Sequence, residues 1–61
     1  MDKKERFLQV YANLPVNVRN EIIYLMPDKR PLTWNAAFIE VNNNTELGKQ
    51  IVEKLDALSI I

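Results

Sequence analysis

Nucleophilic catalysis needs an activated serine, threonine, cysteine or lysine with a base in reach, and this chain is poor in both. It has no histidine and no cysteine, and its one serine, Ser59, falls at the end of the last periodic stretch. Thr33 and Thr45 stand where turns and helix caps place threonine. Two carboxylates can act as acid and base when a cleft pushes their proton affinities apart. Glu21 and Glu40 are the pair to weigh, and each reads more simply as a solvated surface position. Gly48 is the sole glycine, so no glycine-rich loop cradles a phosphate. Without imidazole or thiolate, a metal site would have to be all-oxygen, and the carboxylates are scattered singly and not set in a calcium-loop run. The expectation is a protein that is not an enzyme, with no cofactor, no metal and no evident small-molecule substrate.

Binding chemistry is better represented. Lys3, Lys4 and Arg6 near the start and Lys29 and Arg30 in a central turn could contact an anion or a nucleic acid, with Tyr24 and Trp34 as stacking platforms. That pattern supports, as the alternative function, a nucleic-acid-associated accessory protein using the basic N-terminal turn and the hairpin loop. Charge argues against it. Eight Lys and Arg balance eight Asp and Glu, leaving no long-range field to draw in nucleic acid or an anionic membrane. Residues 1–31 carry six positive and four negative charges and residues 32–61 carry two and four, an asymmetry too small to name a partner. Arg19, after Pro15 in Leu14-Pro15-Val16-Asn17-Val18-Arg19, reads as a structural ion pair with Glu21 or Glu40, or else as an anchor for an anion or a carboxylate. Asn43-Asn44-Thr45 fits a glycosylation acceptor formally, but it is better read as a turn. Ile60-Ile61 is expected to fold back on the core and not to serve as an apolar tail for a receptor groove. No apolar run approaches the roughly 20 residues a bilayer span needs, and no signal-peptide core follows the charged start, so a cytoplasmic setting is expected.

Two helices frame these residues. Phe7, Val10, Tyr11 and Leu14 recur at i, i+3, i+4, i+7, which predicts an amphipathic helix over 2–13. Asp2 caps its start with Glu5 three residues on, and Pro15 disfavours helical geometry at Leu14. Leu47, Ile51, Leu55 and Leu58 predict a second helix over 45–58, with Asn43, Asn44 or Thr45 as its cap. Gly48 inside it either costs about 1 kcal/mol against alanine or admits another backbone closely.

The middle is contested. Ile22-Ile23-Tyr24 and Phe38-Ile39-Glu40-Val41 favour strands near 20–26 and 32–41, joined by Pro27-Asp28-Lys29-Arg30-Pro31 as a turn. Met26 facing Leu32 would set Tyr24 opposite Trp34 and Ile22 opposite Ala36. Trp34, Ala37, Phe38 and Val41 equally fit a helix capped by Thr33, and Val18, Ile22 and Leu25 fit one before it, which gives an all-α four-helix domain as the alternative. The preferred reading is a small single α+β domain in α-β-β-α order, an antiparallel hairpin packed against two amphipathic helices.

At 61 residues the chain has one core and buries only about 60% of its unfolded surface, and disulfides cannot compensate. In the preferred hairpin Ile23, Leu25, Ala37, Ile39 and Val41 share a face that two helices packed on the opposite side would leave uncovered, a candidate interaction surface. The functional expectation is a protein-interaction module that self-associates, a homodimer joined through the hairpin.

Overall fold

The computed structural model describes residues 2–26 and 28–61. Among them, α1 (Lys3–Ala12), a 3-10 turn (Val18–Asn20), β1 (Ile22–Leu25), β2 (Pro31–Thr33), α2 (Trp34–Asn42) and α3 (Glu46–Ala57) follow in chain order. The chain is α+β, with an antiparallel β1–β2 hairpin packed against helices, as expected. The expected second strand over 32–41 is corrected: it stops at Thr33, and the rest of that stretch is α2.

Local chemistry decides that boundary. Thr33 is extended and its hydroxyl accepts the Ala36 N–H at 3.1 Å, satisfying one of the donors a helix start leaves unpaired. Beyond it, Trp34, Ala37 and Val41 fall on one stripe, and all three are buried. The β-branched character of Ile39 and Val41 is thus overridden by a cap and an i, i+3, i+7 stripe that a strand would split between two faces.

The outer helices match their sequence signals closely. Asp2 accepts the Glu5 N–H at 2.8 Å at the start of α1. Thr45 caps α3 through Gly48 N–H at 2.9 Å. At the end of α2, Thr45 N–H bonds to Glu40 C=O and Asn44 N–H to Val41 C=O, with Asn44 in the left-handed region at φ 55°. This is a Schellman closure, and it recurs after α3 with Ser59 at φ 59°, Ile60 N–H on Leu55 C=O and Ser59 N–H on Asp56 C=O. That closure corrects one core assignment: Leu58 lies past the last helical turn and is 52% exposed.

The core is built of Phe7 from α1, Leu32 from β2, Trp34, Ala37 and Val41 from α2, and Ile51, Val52 and Leu55 from α3, with Val18 of the 3-10 turn and Ile23 and Tyr24 of β1 packed half-buried against it. Phe7 packs on Trp34 with ring centroids 5.8 Å apart. The α2–α3 contact is the most extensive between helices, and Gly48 makes it possible. A Cβ there would collide with the Glu40 carbonyl oxygen and lie 2.9 Å from Val41 N, so only glycine lets the two backbones approach.

Candidate interaction surface

The hairpin presents two unlike edges. Its register pairs Ile22 with Thr33, Tyr24 with Leu32 and Leu25 with Pro31, with a bulge between Ile22 and Tyr24. The expected pairs Tyr24–Trp34 and Ile22–Ala36 do not form, because Trp34 and Ala36 are already helical. Met26 N–H reaches Arg30 C=O at 3.0 Å instead of facing Leu32. Lys29 N–H closes the turn on Met26 C=O with Lys29 at φ 68°. Pro27, expected in that turn, lies outside the described residues. Asp28 ties the turn down: it accepts from the Arg30 backbone N–H at 3.1 Å and from the Arg30 guanidinium. The Arg30 N–H, aided by its side chain, holds the Asp28 carboxyl below its ordinary proton affinity.

Alternation along an antiparallel pair fixes where backbone groups point. Leu25 lies between Tyr24 and Met26, which bond inward, so its own N–H and C=O face the open side of β1. Pro31, its partner, occupies the same position on β2 and has no N–H to offer. The core side of the sheet holds buried Leu32 and half-buried Tyr24 and Met26. Its outer side shows Ile22 and Leu25, 62% and 58% exposed, beside exposed Pro31.

The expected surface of Ile23, Leu25, Ala37, Ile39 and Val41 is therefore not brought together. Ala37 and Val41 are in the core at 0% and 2% exposure, since helical spacing turns them inward. Ile23 is half-buried, Leu25 stays on the hairpin, and Ile39 is exposed on α2. Ile22 and Val16, among the most exposed apolar side chains, were missed by the sequence reading. The signal for Ile22 was its place at the start of a strand whose partner strand ends early.

The basic residues are dispersed and mostly engaged. Lys3 pairs with Glu53 at 2.8 Å and Asp56 at 3.5 Å, and the Glu53 hydrogen bond raises its proton affinity. Arg6 lies 4.0 Å from Asp56, Lys4 donates to the Asn44 side chain at 2.6 Å, and Arg30 holds Asp28. Lys29 is exposed at the hairpin tip. Trp34 is only 7% exposed and offers no stacking face. Glu40 accepts from the Thr45 hydroxyl at 2.7 Å at the α2–α3 junction, whereas Glu21 is exposed before β1, so the two carboxylates do not share a cleft.

Arg19 departs from its expected ion pair. Among the described residues no carboxylate lies within bridging distance of it. Its guanidinium instead lies 4.5 Å from the Tyr11 ring centroid, and its Nη2 donates to Ala12 C=O at 3.3 Å. Tyr11 stacks on Phe38 at 4.4 Å and donates its hydroxyl proton to Asn35, whose amide donates to Asn20 at 2.8 Å.

Among the described residues, no helix is long and apolar enough to cross a membrane. Comparison with protein-family models, with curated proteins and with solved structures finds no match to the chain.

Proposed function

We propose that the chain is a non-enzymatic protein-interaction module of the cytoplasm that associates with a second copy of itself through the edge of β1. The observation that carries this reading is the asymmetry of the hairpin: β1 offers an uncharged Ile-Ile-Tyr-Leu edge, while Pro31 removes a donor from the edge of β2. A two-stranded sheet is marginal alone, and pairing β1 antiparallel to its copy about a two-fold axis gives a four-stranded sheet. Such pairing satisfies the outward N–H and C=O of Leu25 and sets Ile22 and Leu25 beside the copy's apolar side chains on the same face. The four-residue length of β1 and its bulge keep the contact small, so association is weak and reversible.

Sedimentation equilibrium from micromolar to near-millimolar protein tests this. The average mass should rise from 7.1 kDa toward twice that value. Leu25→Lys, at an exposed site that breaks no bond within the hairpin, should hold the monomer mass throughout. A constant monomer mass for the natural chain would remove the proposal.

A further inference from the structure

The cavity between the hairpin and α3 combines an apolar floor with a single charge. Leu47, Gln50, Ile51 and Lys54 follow at i, i+3, i+4 and i+7 and so share one stripe of α3. Tyr24 and Met26 of the hairpin enclose with that stripe a cavity of about 240 Å³. Ile51 is buried and Tyr24, Met26 and Leu47 are half-buried, whereas Gln50 and Lys54 are exposed, so the apolar groups form the floor and the polar ones the rim. Among the described residues no carboxylate lines the cavity. Lys3, Arg6 and Arg30 pair with carboxylates, but among the described residues none lies within bridging distance of Lys54, whose charge is free for an incoming anion.

The cavity at the start of α1 differs in charge. Lys3, Lys4 and Lys49 line it together with Asp2 and Glu53, and there Lys3 is bonded to Glu53 and Lys4 to Asn44. Only the cavity under the hairpin joins an apolar floor to a cation that no acid on its walls offsets. An apolar cavity of about 150 Å³ holds benzene, so about 240 Å³ holds a phenyl ring with a short acid chain. Aromatic and thioether surfaces suit such a ring. We propose that this cavity binds a small aromatic carboxylate, its ring among Tyr24, Met26, Leu47 and Ile51 and its carboxylate on the Lys54 ammonium, with the Gln50 amide as a further donor. One cation suits a monoanion, whereas a phosphate group calls for a second cation or a cradle of backbone N–H groups. The ring and acid fill the volume, so the ligand is a free acid and not the C-terminus of a protein.

Ile22 and Leu25 lie on the other side of the sheet, so binding here is independent of self-association, and both the natural chain and Leu25→Lys should show it. The probes are 3-phenylpropionate and 3-phenylpropionamide, titrated to millimolar concentration while the Met26, Leu47 and Ile51 methyl resonances are followed by NMR. The carboxylate should shift all three saturably, and the amide should bind about threefold more weakly, the scale of one exposed ion pair. Lys54→Gln, at an exposed position, should bring the carboxylate down to the affinity of the amide and leave the amide unchanged. Acetyl-Gly-Phe, which carries the same ring and carboxylate at a peptide C-terminus, should bind more weakly than the free acid. Absence of saturable shifts at these methyls, equal binding of acid and amide, undiminished binding of the acid by Lys54→Gln, or tighter binding of acetyl-Gly-Phe would overturn the proposal.

Discussion

Gly48 and Asp28 show how much of this fold rests on single residues. At Gly48 an added methyl group meets the Glu40 carbonyl, which is backbone and cannot rotate away. Gly48→Ala should therefore destabilise the protein by about 1–3 kcal/mol by overpacking, despite alanine's better helix propensity, and urea unfolding would measure it. Asp28 acts through charge at the hairpin turn. Its folded proton affinity is lowered, chiefly by the Arg30 N–H, so its contribution is present above the unfolded-state pKa and is lost as pH falls through the folded one. Asp28→Asn should lower stability at neutral pH, and the difference from the natural chain should vanish in acid. A carbon-detected NMR titration should place the Asp28 midpoint below that of an unperturbed aspartate.

At the scale of elements, the caps carry the clearest information. Thr33 ends β2 and begins α2 in one residue, so Thr33→Ala should cost about 0.5–2 kcal/mol, read as a lower urea midpoint with an unchanged slope. The helices α1 and α3 were legible in the sequence because periodicity and cap agree at both: Asp2 with the Phe7 stripe, Thr45 with Ile51 and Leu55. The hairpin was legible in kind but not in extent. Phe38-Ile39-Glu40-Val41 is rich in strand-favouring side chains, and only the burial of Trp34, Ala37 and Val41 together shows that helical spacing wins. The candidate surface failed with it. Assigning Ala37 and Val41 to a strand put them on a face with Ile39, and the change to a helix moves those two into the core and leaves Ile39 outside. Arg19 on Tyr11 was not legible at all, because seven residues lie between them and no periodic pattern connects a 3-10 turn to a helix.

For the molecule as a whole, the core of a 61-residue chain leaves little margin, and Trp34 ties α2 to α1 within it. It is 7% exposed, packs on Phe7 and begins the helix that spans the core. Trp34→Ala should destabilise by about 3–5 kcal/mol, a large share of a small domain's total stability, and calorimetry should show the melting temperature falling sharply. The junction at Gly48 has a further consequence, in time. Glu40 and Gly48 are close in the chain, so α2 and α3 meet at a small loop-closure cost, whereas Lys3 reaches Glu53 across 50 positions. Contacts local in sequence tend to form early in folding, so the α2–α3 corner is the expected nucleus and α1 the expected last element to dock. Gly48→Ala should accordingly slow refolding in stopped-flow experiments, while Phe7→Leu should leave refolding nearly unchanged and hasten unfolding.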